Sequence, residues 1–128
     1  MKLLDTCFLI DLQREWVRQQ PGSATRYLER HSSGEYGVSV ITALEFLEGY
    51  PHSADGERFL AAFPQLAVTT EVARIGSRIR RILRQRGEMI GDFDVLIAAT
   101  APSAGLTVVT ENARHFERIE GLTVEGYR

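Results

Sequence analysis

Five acids and one amide stand where side chains could do chemistry together: Asp5, Glu45, Asp92, Asp94, Glu111 and Asn112. Carboxylates that converge on one crevice repel each other. At neutral pH they coexist only with a cation between them or with raised pKa values. Hard oxygen donors of this kind select magnesium or manganese. No competing soft site is evident, because Cys7 is the only cysteine and His31, His52 and His115 are scattered along the chain. Nothing in the order of Ser, His and Asp suggests a nucleophilic triad.

These residues can meet only if the elements around them converge. Lys2 to Leu4 reads as a short strand ending at Asp5, followed by a helix from Thr6 to about Trp16 and a second from Ser23 to His31 after the Pro21-Gly22 turn. Tyr36 to Ser39 is a strand, Val40 to Tyr50 a helix carrying Glu45, and Ala54 to Phe63 a shorter helix stopped by Pro64. Leu66 to Thr69 reads as a third strand. Val72, Ile75, Ile79, Ile82 and Leu83 then give the clearest helical stripe in the chain, in a helix over Glu71 to Arg86 that Gly87 stops. Asp92 and Asp94 open a helix that runs to Ala104, with Pro102 expected to kink or shorten it. Leu106 to Thr110 is a strand apolar on both faces, as a central parallel strand should be. A helical turn near Ala113 to Phe116 and a strand near Leu122 to Glu125 follow.

Alternating strands and helices imply an α/β fold, a parallel sheet of four to five strands with helices on both faces. Ligands of such sheets bind beyond the carboxyl ends of the strands, where Asp5, Glu111 and Asn112 fall. Each acid also has a structural reading. Asp5 suits a helix N-cap, Thr42-x-x-Glu45 fits a capping box, and Asp92 and Asp94 suit the positive end of a helix. Their common placement at one sheet edge favours a site.

Composition sets the remaining bounds. The 128 residues are 44% hydrophobic and 25% charged, enough for one domain with a core and no disulfide. No apolar run is long enough for a signal or a membrane span, so a cytoplasmic protein with no membrane partner is expected. A net charge of −2 argues against binding nucleic acid by bulk positive charge. The cations are nonetheless concentrated: Lys2 is the only lysine, and Arg74, Arg78 and Arg81 fall at i, i+4 and i+7 on one helix face. That face is either solvated or tracks nucleic-acid phosphates.

The chain resembles the PIN-domain ribonucleases, and among them the VapC toxins of bacterial type II toxin–antitoxin systems. Four motifs carry the resemblance, in order: Leu3 to Leu12 around Asp5, Val38 to Phe46 around Glu45, Ile90 to Ala101 around Asp94, and Gly105 to Phe116 around Thr110 and Asn112. It spans the chain as a single PIN domain, residues 1–128. It implies that Asp5, Glu45 and Asp94 are catalytic and hold Mg²⁺ or Mn²⁺, with Asp92 as a further metal residue. Thr6, Thr110, Glu111 and Asn112 would support them from behind. Asn stands at the fourth family position, often Asp, so Asp92 or Glu111 would supply the missing charge. The implied activity is hydrolysis of RNA phosphodiesters by a metal-bound water, leaving a 3′-hydroxyl and a 5′-phosphate. The implied partners are an RNA substrate, a cognate antitoxin and a second copy of the chain. Trp16, near a helix end beside Arg14 and Arg18, is the candidate antitoxin anchor, whereas Phe8 and Leu12 on the same stripe suit the core. A PIN nuclease that processes RNA outside any toxin system, and a PIN-like module that binds without cleaving, remain open at this point. A receiver domain does not, since it needs a late lysine; nor does a haloacid-dehalogenase-like phosphatase, which needs Asp where Cys7 stands.

Overall fold

The computed structural model describes residues 1–128. Five parallel strands form one sheet: β1 (Lys2–Leu4), β2 (Tyr36–Ser39), β3 (Gln65–Leu66), β4 (Thr107–Val109) and β5 (Val124–Glu125), in the order β3-β2-β1-β4-β5. Seven helices connect them: α1 (Thr6–Arg18), α2 (Ser23–Arg30), α3 (Val40–Glu48), α4 (Ser53–Leu60), α5 (Thr70–Arg86), α6 (Asp92–Ala104) and α7 (Ala113–Glu117). The sheet is that of the expected α/β class.

Strand periodicity sends successive side chains to opposite faces, and the two cores follow from it. Leu3 and Val108 join Val72, Ile79, Leu83, Val95 and Ile97 under α5 and α6. Leu4 and Val109 point the other way, into Phe8, Leu9, Tyr27, Phe46 and Leu60 from the first four helices. The register pairs Leu3 with Val108 and Leu4 with Val109, so each core layer is continuous across the strands. β1 has β2 on one side and β4 on the other, which places the switch in strand order at its carboxyl end.

Element ends differ from expectation where side chains compete for backbone groups. The third strand is Gln65–Leu66 rather than Leu66 to Thr69, because the Thr69 hydroxyl accepts from Val72 N at 3.2 Å and caps α5. α4 is Ser53–Leu60 rather than Ala54 to Phe63, α3 stops at Glu48, and the last strand is Val124–Glu125. Pro102 does not shorten α6, which runs to Ala104. It lies in the last turn, and Leu106 N closes that turn onto Ala101 O at 2.8 Å. α2 starts at Gly22 without a side-chain cap of its own. Glu15 of α1 supplies one, accepting from the N–H groups of Gly22, Ala24 and Thr25 at 2.7, 3.1 and 2.9 Å.

α5 and α6 pack closely over Gly76, which is buried in mid-helix. A Cβ there would meet Val95 Cγ1 at 3.7 Å and Ala99 Cβ at 3.8 Å, ordinary van der Waals contact. Gly76→Ala is therefore expected to raise the unfolding free energy by roughly 0.5–1 kcal/mol, through the unfolded chain's lost freedom. A urea titration measures it, and a lower midpoint would mean that the two helices need the glycine for closer approach.

Candidate metal-binding active site

Asp5 extends the sheet by one residue beyond β1, its N–H bonding Val109 O at 3.0 Å. Both readings of this residue hold at once. Its Oδ1 caps α1 by accepting from Thr6 N at 2.8 Å, and its Oδ2 accepts from the Thr110 hydroxyl at 2.8 Å with the Cys7 thiol 3.4 Å away. The side chain is 3% exposed. Burial raises its pKa, these three bonds oppose the rise, and the charge of Glu45 adds to it.

Glu45 reaches the same point from α3. Its Oε1 accepts from the Thr6 hydroxyl at 2.7 Å, and Thr42, fully buried, stands 3.3 Å from that hydroxyl. The capping-box reading fails: Ser39 caps α3, accepting from Ile41 N at 3.0 Å. Asp94, half-buried in the first turn of α6, has its pKa raised by burial and then by the charge of Asp5, while His115 opposes the rise. Asp5 is thus the group that feels or affects both other acids.

The remaining candidates are placed elsewhere. Asp92 points outward, its side chain 73% exposed and paired with Arg80 at 3.5 Å, so it is not gathered with the other acids. Glu111 pairs with Arg128 at 3.0 Å. Asn112 is exposed; its N–H donates to the Thr110 hydroxyl at 3.0 Å, which ties the turn after β4 to the donor that holds Asp5. Arg74, Arg78 and Arg81 are exposed on α5 and make no ion pair. Trp16 is 70% exposed and lies 6.5 Å from Phe59, on an apolar groove of about 1100 Å³ that Leu12, Tyr50, Phe59 and Phe63 also line. Phe8 is core, and Leu12 packs at the core's margin.

Two features have little or no signature in the sequence. Cys7 is half-buried at the margin of one core, beside Asp5 and Thr110, its thiol pushed up to about 12 by burial and the Asp5 charge. An Asp cap two residues before a Cys in the first helical turn is the signal that could have found it. Tyr127 and Arg128 reach Asp11 and the turn after β4, a long-range contact with no local signature.

The donor set suits a hard divalent cation. Asp5 and Asp94 both have carboxyl groups driven toward protonation by burial and by acidic neighbours, which a nearby cation reverses. No three His, Cys, Asp or Glu side chains close on one point as a ready cage. An ion here would draw these carboxylates in from more than one element and keep several waters of its own, as magnesium usually does.

A family model described as the PIN domain matches residues 2–122. "Ribonuclease VapC19" of Mycobacterium tuberculosis is 37% identical over 125 residues, covering 95% of this chain and 97% of that protein. "tRNA(fMet)-specific endonuclease VapC" of Salmonella typhimurium is 36% identical over 97 residues, covering 70% and 74%. Among solved structures, DNA-bound VapBC from Salmonella typhimurium superposes with a TM-score of 0.79 at 29% identity over 100% of this chain and 99% of that one. VapBC2 from Rickettsia felis, bound to a promoter DNA fragment, gives 0.82 at 23% identity over 99% and 98%. The chain belongs to the PIN-domain family and, within that class, to the VapC ribonucleases.

The raised Asp94 pKa has a stability consequence. The penalty for its charge is fully present above the folded-state pKa and disappears below the ordinary value of 3.8. Asp94→Asn should therefore raise the melting temperature of metal-free protein at pH 7 and leave it unchanged near pH 3.5. Calorimetry at the two pH values checks this, and a lower melting temperature at pH 7 would place Asp94 outside the repulsive cluster.

Proposed function

We propose that this chain is the endoribonuclease toxin of a toxin–antitoxin pair and uses Mg²⁺ or Mn²⁺ at Asp5, Glu45 and Asp94. The observation that carries the reading is the coupling of these acids through Asp5, with Thr6 bonded to both Asp5 and Glu45. A bound divalent ion would supply the charge that activates a water and receives the departing oxygen. The chain's own work is positional. Thr110 and Thr6 N fix the two oxygens of Asp5, the Thr6 hydroxyl fixes Glu45, and the dipole of α6 favours charge on Asp94. The unpaired guanidinium groups of Arg74, Arg78 and Arg81 would take RNA phosphates bidentately along α5.

Trp16 and the groove between α1, α2 and α4 support an antitoxin partner, because an exposed aromatic beside a preformed apolar trough suits an amphipathic segment. Exposed Leu44, Ile82, Met89 and Phe93, on α3, α5, the loop after α5 and the start of α6, support pairing with a second copy. No helix is long and apolar enough to cross a membrane.

Asp5→Asn, Glu45→Gln and Asp94→Asn should each lower Mg²⁺-dependent RNA cleavage by at least ~100-fold with the fold retained, since each removes a charged donor. Asp92→Asn, which loses only an exposed ion pair with Arg80, should stay within a few-fold of wild type. Cleavage assays with circular dichroism decide the point, and full activity in Asp94→Asn would sink the assignment. Trp16→Ala should weaken binding of a cognate antitoxin by roughly tenfold or more. Equal affinity in a titration would move the antitoxin to another surface.

A further inference from the structure

Glu111 lies between two residues tied to the site: it follows Thr110, whose hydroxyl bonds Asp5, and precedes Asn112, whose N–H bonds Thr110. Its carboxylate is nonetheless turned to a guanidinium. Arg128 Nη2 lies 3.0 Å from Glu111 Oε2 and 2.6 Å from Asp11 Oδ2, so one nitrogen bridges acids from the turn after β4 and from α1. Asp11 is fixed in turn by the Tyr127 hydroxyl, which donates to the same Oδ2 at 2.5 Å. Tyr127 is 2% exposed, its ring edge-on to Phe8 at 4.7 Å, and Thr110 N bonds Glu125 O at 3.0 Å. The arm that carries Arg128 is therefore anchored in the core and to β4, and the guanidinium does not simply float over the surface.

We propose that Arg128 is a positioning residue that withholds Glu111 from the metal site and so limits its charge to Asp5, Glu45 and Asp94. This rests on the metal-nuclease reading above. Without Arg128, Glu111 and Asp11 have no shared cation, and an acid in the turn that holds Thr110 and Asn112 swings toward the nearest positive charge. A bound divalent ion is that charge. The structure thus trades tighter metal binding for a defined donor set.

The test uses full-length protein and Mn²⁺ alone, followed by calorimetric titration and by the Mn²⁺-dependent rise in melting temperature, in wild type, Arg128→Gln, Arg128→Lys, Glu111→Gln and the Arg128→Gln/Glu111→Gln pair. Arg128→Gln should bind Mn²⁺ roughly threefold or more tightly, as expected for a site that gains a carboxylate. Arg128→Lys should stay near wild type, and the double variant should return to it. A merely structural role for Arg128 predicts the opposite sign: a loosened turn and weaker Mn²⁺. Unchanged or weaker binding in Arg128→Gln overturns the proposal, and so does tightening that survives in the double variant, because Glu111 is then not the group released. Should wild type bind no Mn²⁺ at all, the metal-nuclease reading falls and this inference with it, which separates the two failures.

Discussion

Burying a carboxylate at the end of a central strand is costly unless its oxygens are satisfied, and the structure meets that condition at Asp5 with three donors from two elements. The Thr6 amide comes from the start of α1, the Thr110 hydroxyl from the residue after β4, and the Cys7 thiol from the first turn of α1. The Thr110 contact requires β1 and β4 to be neighbours in one register, which the Leu4 to Val109 pairing and the Asp5 N to Val109 O bond provide. A slip of one residue would exchange the two core layers as well as remove the hydroxyl. The site and the core are thus fixed by the same strand pairing.

Once Asp5 is held there, its charge acts on whatever approaches. Glu45 arrives with a threonine hydroxyl to receive it, and Asp94 arrives at the positive end of α6. The other acids near this edge are neutralised in pairs: Asp92 by Arg80, Asp11 and Glu111 by Arg128. The charge of the crevice is therefore set as much by the arginines that remove acids from it as by the acids that remain. A net charge of −2 conceals this division entirely.

The apolar side of the molecule shows a similar economy. Phe8 and Trp16 share a stripe on α1, yet Phe8 is sealed under Tyr27 and Tyr127 while Trp16 leans on Phe59 at the groove. The groove stays open because Glu15 ties α2 to the end of α1 from one flank and α4 forms the other. The helix cap and the groove wall are one contact.

Sequence alone determined the order and kind of every element, the parallel sheet and the family, and it offered Asp5, Glu45 and Asp94 as candidates, because strand and helix periodicity and the four motifs are local patterns. It misplaced ends at Thr69 and Phe63, where a cap and a turn end the element three residues earlier. Which acids stay in the crevice was decided only by tertiary structure. Asp92 and Asp94 are two residues apart on one helix and chemically identical, yet one pairs with Arg80 and the other feels the charge of Asp5. Glu111 and Arg128 are far apart in sequence and meet only after β5 has paired with β4. A charged side chain turns to the partner that packing brings within a few ångströms, and no spacing along the chain encodes that distance.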